Sequence, residues 1–241
     1  MASFLLVHGS WHGAWCWYKL TAHLEAAGHR VIALDLPSLG SDKTPVAEIT
    51  ADSWSDHLIE RLDAEPEPVI LVGHSRGGML ISKAAEARPE KVARLVYLCA
   101  FLLQDGETIG DVIRSPANAA STISDSLELT ADGLATTVRE EALEALFYNR
   151  SPREDVVLAK LLAQPEANAP LLAPVALSDA RFGGVPRSYI ECLQDNAIRI
   201  DLQRQMVSHL PCEPVITMDT DHSPFFSAPE ELARHLESLV G

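Results

Sequence analysis

The chain has 241 residues, 47% of them hydrophobic, enough for one large α/β domain with a sizeable core and too apolar for a disordered segment. A formal net charge of −15 argues against a nucleic-acid partner and against an acidic membrane surface. No basic, apolar leader and no apolar run of membrane-spanning length is visible, and the four scattered cysteines lack C-x-x-C spacing, so a cytoplasmic protein with buried free thiols and no membrane association is expected.

Residues 3–8, SFLLVH, read as a first buried strand that breaks into Gly9-Ser10-Trp11-His12-Gly13. A helix is expected over 15–27, with Gly28 as its C-terminal stop. Residues 29–36 give a second strand, closed by Pro37, and a polar, turn-rich loop follows. Residues 51–63 form the next helix, with Trp54, Leu58, Ile59 and Leu62 on one face.

The stretch PVILVGHSRGGM, residues 68–79, organises the rest. Val69 to Val72 suit a strand buried on both faces, and the sequence after Gly78 reads as a helix. Ser75 therefore stands at the apex of a sharp strand–turn–helix. A side chain at Gly73 or Gly77 would collide with the adjoining strand or helix. The turn also aims the helix N-terminus, with its free N–H groups, at any negative charge that forms there. G-x-S-x-G in that context is the nucleophile elbow of α/β-hydrolases.

Residues 91–100 are the fourth strand, and strand and helix patterns alternate up to this point, which implies a parallel sheet covered by helices on both faces. From about 105 to 186 the rhythm stops: no strong strand, short helical pieces of which 140–148 and 152–163 are clearest, and Pro165, Pro170, Pro174 and Pro186 punctuating the rest. So long an interruption in a compact domain reads as an inserted helical cap, 105–186, on a core of 1–104 and 187–241. Residues 187–193 resume the sheet, 213–218 are its sixth strand, and 228–240 form a closing helix.

A serine hydroxyl needs an adjacent base held by a third group, and in this fold the order along the chain is Ser, acid, His. His222, in the loop DTDHSPFF, is the only one of nine histidines between the last strand and the last helix, and is the expected base. The favoured acid is Asp195, just past the fifth strand, with Asp105 after the fourth as the other plausible position. The backbone N–H groups of Arg76 and Ser10 are the candidate oxyanion-hole donors, while the Arg76 side chain reads as a cation at the pocket rim. Gly9, Trp11, His12 and His74 are candidate pocket residues, although His8 and His12 read equally as hydrogen-bonded structural histidines. No metal-ligand cluster and no nucleotide-binding loop stands out, so neither metal nor cofactor is expected.

HGSWHGAWCWYKL resembles the HG-x-x-HGAW-x-W opening of the plant methylesterase and hydroxynitrile lyase family, which has bacterial relatives. HRVIALDLPSLGSD, VGHSRGG, FYNRSPREDVVLAKLLAQP, YIECLQDNAI and DHSPFFSAPEEL fall at comparable positions, so the resemblance covers nearly the whole chain. It implies a six-stranded parallel sheet in the order 2-1-3-4-5-6, a cap between strands four and five, and the same assignments of Ser75, His222, Asp195, Ser10 and Arg76. The lyases of that family have lysine after the catalytic histidine and threonine in the oxyanion loop, where this chain has Ser223 and Gly9; both differences favour the esterase branch.

The expectation is thus an α/β-hydrolase fold carrying a serine carboxylester hydrolase for small, largely apolar esters. The alternatives are a hydroxynitrile lyase-like C–C lyase, a cofactor-free oxygenase or perhydrolase reusing the triad, and a non-catalytic small-molecule binding protein. A homodimer is compatible with the sequence, though no pattern demands it.

Overall fold

A computed structural model describes residues 1–241. The first half runs β1 (Ser3–Val7), α1 (Tyr18–Ala26), β2 (Arg30–Leu34), α2 (Ser53–Asp63), β3 (Val69–His74), α3 (Gly77–Ala87) and β4 (Val92–Leu98). An inserted stretch follows, with α4 (Ile109–Ile113), β5 (Leu127–Leu129), β6 (Ala135–Val138), α5 (Glu140–Phe147), α6 (Arg153–Leu162), β7 (Glu166–Ala167) and α7 (Ala169–Leu172). The chain then returns through β8 (Arg187–Cys192), α8 (Ile200–His209) and β9 (Val215–Met218), and closes with α9 (Pro224–Ser227) and α10 (Pro229–Ser238).

Six strands form one sheet in the order β2-β1-β3-β4-β8-β9, every neighbouring pair parallel. Alternate residues of the central strands feed opposite cores. Leu5, Val7 and Leu71 pack on one side, while Phe4, Leu6, Ile70 and Val72 pack on the other. Burial on both faces is why these strands read as continuous apolar runs rather than alternating ones. Helix α1 ends where Gly28 takes a φ of 86°, a conformation that costs glycine nothing.

The inserted stretch departs from the sequence expectation. It is not purely helical: β5, β6 and β7 make a small antiparallel sheet in which Ala135 pairs with Ala167. These strands have three, four and two residues, too short to print an alternation. Strand β7 turns out to matter most, because it delivers Glu166.

Candidate active site

Strand β3 runs straight into the turn that carries Ser75. The backbone there is locked at three points: the Ser75 N–H donates to the Leu98 carbonyl, and the Ser75 carbonyl accepts from the N–H groups of Gly78 and Phe101. Those contacts hold Ser75 at a φ of 53°, a left-handed conformation disfavoured for serine. The close packing also explains the flanking glycines. A methyl group on Gly73 would stand 2.7 Å from the Gly77 carbonyl oxygen, and one on Gly77 would stand 2.7 Å from that of Val7.

His222 sits between β9 and α9, and Asp195 follows β8, so Ser75, Asp195 and His222 all gather past the carboxyl ends of sheet strands. Nδ1 of His222 lies 2.6 Å from Oδ2 of Asp195, and both side chains are buried. The other carboxylate oxygen accepts the N–H groups of Ala197 and Ile198 at 2.8 Å, and the Gln203 amide donates to Oδ2 at 3.3 Å. With its carboxylate fully occupied, Asp195 fixes the His222 ring with the proton on Nδ1 and the lone pair on Nε2. Asp105, the other candidate acid, instead accepts from the Leu177 N–H within the inserted stretch.

The His222 loop is further braced from beneath. The His74 ring donates from Nε2 to the His222 carbonyl at 2.8 Å, and the Cys99 thiol donates to the same oxygen at 3.4 Å. Burial drives the His74 pKa well below its ordinary value and the Cys99 thiol well above its own, so both remain uncharged. His74, Cys99 and His222 are the one grouping with metal-ligand chemistry, their donor atoms lying within 4.8 Å of one another. Hydrogen bonds to the His222 carbonyl occupy His74 Nε2 and the Cys99 thiol, His74 Nδ1 is left without a partner, and His222 Nδ1 is committed to Asp195.

On the opposite side lies the loop after β1. Neither the Ser10 N–H nor the Arg76 N–H is hydrogen-bonded to another protein group. Trp11 is held at a φ of 62° and tied to the inserted stretch: its indole donates to the Thr136 carbonyl at 2.9 Å, and its carbonyl accepts the Gln164 N–H at 3.0 Å. A cavity of about 100 Å³ is lined by Ser10, Trp11, Ser75, Arg76 and Glu166, with Phe101, Ile109, Ile113, Leu171 and Ile198 as its apolar wall.

Gly9, His12 and His74, expected on the pocket wall, are not among the residues lining this cavity. His12 donates from Nδ1 to the Ser10 carbonyl at 2.6 Å and accepts from the Tyr148 hydroxyl at 2.7 Å. His8 donates from Nδ1 to the Gly9 carbonyl at 2.8 Å and accepts the Leu36 N–H at 3.3 Å. Burial lowers the His8 pKa to about 3 and that of His12 to about 4, so both serve as neutral hydrogen-bonding struts. These tautomers follow from the hydrogen-bond network.

Arg76 needs the larger correction. Its side chain is not a rim cation but is 1% exposed, paired with the equally buried Glu166 through Nε at 2.8 Å. Its guanidinium also lies 4.2 Å from the centre of the Trp54 ring. Glu166 and Asp221 both escaped the sequence reading. Asp221 is wholly buried beside His222 and accepts from the Arg150 N–H and the Ser151 and Ser227 hydroxyls. A buried acid in a loop already containing Asp219 carries no distinguishing sequence signal.

Residues 4–235 match the family described as "Alpha/beta hydrolase family". The chain is 39% identical over 257 residues to Methylesterase 7 of Arabidopsis thaliana, covering 98% of this chain and 95% of that one. It is 34% identical over 248 residues to Putative methylesterase 14, chloroplastic, of the same species, covering 98% of this chain and 71% of that one. The crystal structure of polyneuridine aldehyde esterase is similar with a TM-score of 0.88 at 30% identity, covering 99% of each chain.

Proposed function

The chain belongs to the alpha/beta hydrolase family, in its methylesterase-like branch, and from that premise we propose that it is a serine carboxylester hydrolase working through Ser75, His222 and Asp195. The observation that carries this reading is the His222–Asp195 contact of 2.6 Å, set past the strand ends together with a serine held at the elbow apex.

His222 Nε2 takes the Ser75 proton as Oγ attacks the ester carbonyl carbon. The carbonyl π electrons move onto oxygen, and the Ser10 and Arg76 N–H groups donate to that oxyanion. The imidazolium, stabilised by Asp195, then gives its proton to the departing alkoxide oxygen, leaving an acyl-Ser75 ester. Water, deprotonated by His222, attacks that ester, and collapse of the second tetrahedral species returns the proton to Ser75 and releases the acid. Ser75 Oγ and His222 Nε2 must come within hydrogen-bond reach of each other in the Michaelis complex for this transfer.

The small apolar cavity supports a compact ester, and the names of the relatives support a methyl ester of a small acid. The inserted stretch 105–186 acts as the cap over that cavity, supplying Ile109, Ile113 and Leu171 to its wall. No helix is long and apolar enough to cross a membrane. We place the protein in the cytoplasm on its four buried, unpaired cysteines, a usage suited to a reducing compartment.

The test is hydrolysis of p-nitrophenyl acetate and butyrate by the wild type and by Ser75→Ala. Turnover that disappears in a folded Ser75→Ala protein is the expected result. Turnover that survives the substitution removes Ser75 from the mechanism.

A further inference from the structure

The Arg76 side chain leaves the elbow, passes beneath the oxyanion loop and grips it. A peptide unit is a rigid plane, so wherever the Gly9 carbonyl oxygen is held, the direction of the Ser10 N–H is fixed. That oxygen accepts Nη2 of Arg76 at 3.0 Å as well as Nδ1 of His8 at 2.8 Å. The next plane is fixed at both ends. Its Ser10 carbonyl accepts His12 Nδ1, and its Trp11 N–H donates to Oε2 of Glu166 at 3.3 Å. The same Oε2 accepts Nε of Arg76. The ion pair thus touches both planes that flank Ser10.

We propose that the Arg76–Glu166 pair is a positioning device for the oxyanion hole. The residue that supplies one donor through its backbone N–H uses its own side chain to aim the other, the Ser10 N–H. This rests on the oxyanion role assigned to those two amides above. Glu166 comes from β7, so the inserted stretch takes part in building the hole rather than only covering it.

A purely structural pair accounts for less of what is observed. Burying two charges consumes most of the attraction gained, so such a pair is poor evidence of stabilisation. This one is not even saturated: Nη1 of Arg76 is buried with no partner. The atoms that are satisfied are those engaged with each other and with the oxyanion loop. Unsatisfied buried groups require an explanation, and geometry imposed by the loop supplies one.

The test uses Arg76→Met, Glu166→Gln and the double variant, each retaining the backbone donors. Removing one oxyanion donor costs about 100- to 1,000-fold in kcat, and misaiming one should cost about 10- to 100-fold. That loss is expected in kcat on p-nitrophenyl acetate, with KM within about twofold. Affinity for a trifluoromethyl ketone, whose adduct with Ser75 puts an oxyanion in the hole, should fall by the same factor as kcat. The single variants leave one buried charge alone and should lose thermal stability. The double variant should recover the melting temperature without recovering kcat, which a merely structural pair would not do. A folded double variant with kcat near that of the wild type overturns the proposal, as does a loss confined to KM or an undiminished ketone affinity. Ser75→Ala in the same assay separates the two levels. If Ser75→Ala is inactive while the double variant is fully active, only the positioning role fails. If Ser75→Ala is active, the hydrolase reading fails and takes this proposal with it.

Discussion

Gly9 and Ser75 approach so closely that a methyl group on Gly9 would stand 2.8 Å from the Ser75 Cβ and 2.8 Å from Nδ1 of the buried His74 ring. Both obstacles belong to the rigid elbow and cannot swing aside as a flexible surface side chain would. Gly9→Ala is expected to push the oxyanion loop off the elbow. The cost should be about 1–3 kcal/mol of stability from overpacking, with a fall in kcat that exceeds the change in KM. Denaturant unfolding and steady-state kinetics check both parts; a fully active Gly9→Ala protein would show that the loop has slack.

Asp195→Asn preserves the acceptor that the Ala197 and Ile198 N–H groups require, so the fold should survive. The amide nitrogen that then faces His222 Nδ1 is a donor, and it favours the wrong tautomer of the ring. A fall in kcat of about 10⁴-fold with an unchanged circular dichroism spectrum is expected. A loss below tenfold would mean that the Asp195 contact does not orient the base.

Acid should destabilise the fold well before its carboxylates titrate. His8 and His12 are held neutral, with folded values of about 3 and 4, and burial keeps His74 neutral too. Unfolding releases each to its ordinary value of 6.5, so below that pH the unfolded chain binds more protons than the folded one. Stability is therefore full above pH 6.5 and declines as the pH falls towards 4, by up to about 1.4 kcal/mol per pH unit for each histidine. Melting temperatures between pH 8 and 5 should trace this decline, and His12→Gln should make it shallower. A flat profile in the wild type would contradict the neutral-strut assignment.

The cavity of about 100 Å³ with its apolar wall favours a short acyl group. p-Nitrophenyl acetate and butyrate should be hydrolysed with kcat/KM at least about tenfold above that for the decanoate, since a hydrophobic wall discriminates by roughly 10- to 200-fold per misfit group. Ile113→Ala, which shortens that wall, should raise the decanoate value while leaving the acetate value near wild type. Equal turnover of all chain lengths would place the substrate somewhere other than this cavity.

The central strands of the main sheet were legible because they are buried on both faces and so print continuous apolar runs, as 69–72 does most clearly, whereas the edge strands β2 and β9 are only partly buried and were placed by the turns that bound them. Ser75 and His222 were legible for a different reason: the elbow announces itself locally, and His222 alone occupies the loop between β9 and the closing helices. Arg76 shows where such reading stops. A cation beside a pocket is ordinarily solvated, and what buries this one is Glu166, which lies 90 positions further along the chain on a strand of two residues. Nothing in PEANAP marks that glutamate as a partner for the elbow. The β5-β6-β7 sheet was missed likewise, because its central pairing joins Ala135 to Ala167 across two helices.

Asp221 links the inserted stretch to the His222 loop. One of its carboxylate oxygens holds Arg150 and Ser151 of the inserted stretch, while the other holds Ser223 and Ser227 on either side of the α9 start, immediately beyond His222. The cover and the base are thus bolted to a single carboxylate. Moving Arg150 and Ser151 outward would strip this carboxylate of two of its four donors and loosen the segment just beyond His222. Amide hydrogen exchange in the Arg150–Ser151 turn and in the His222 loop should therefore rise and fall together.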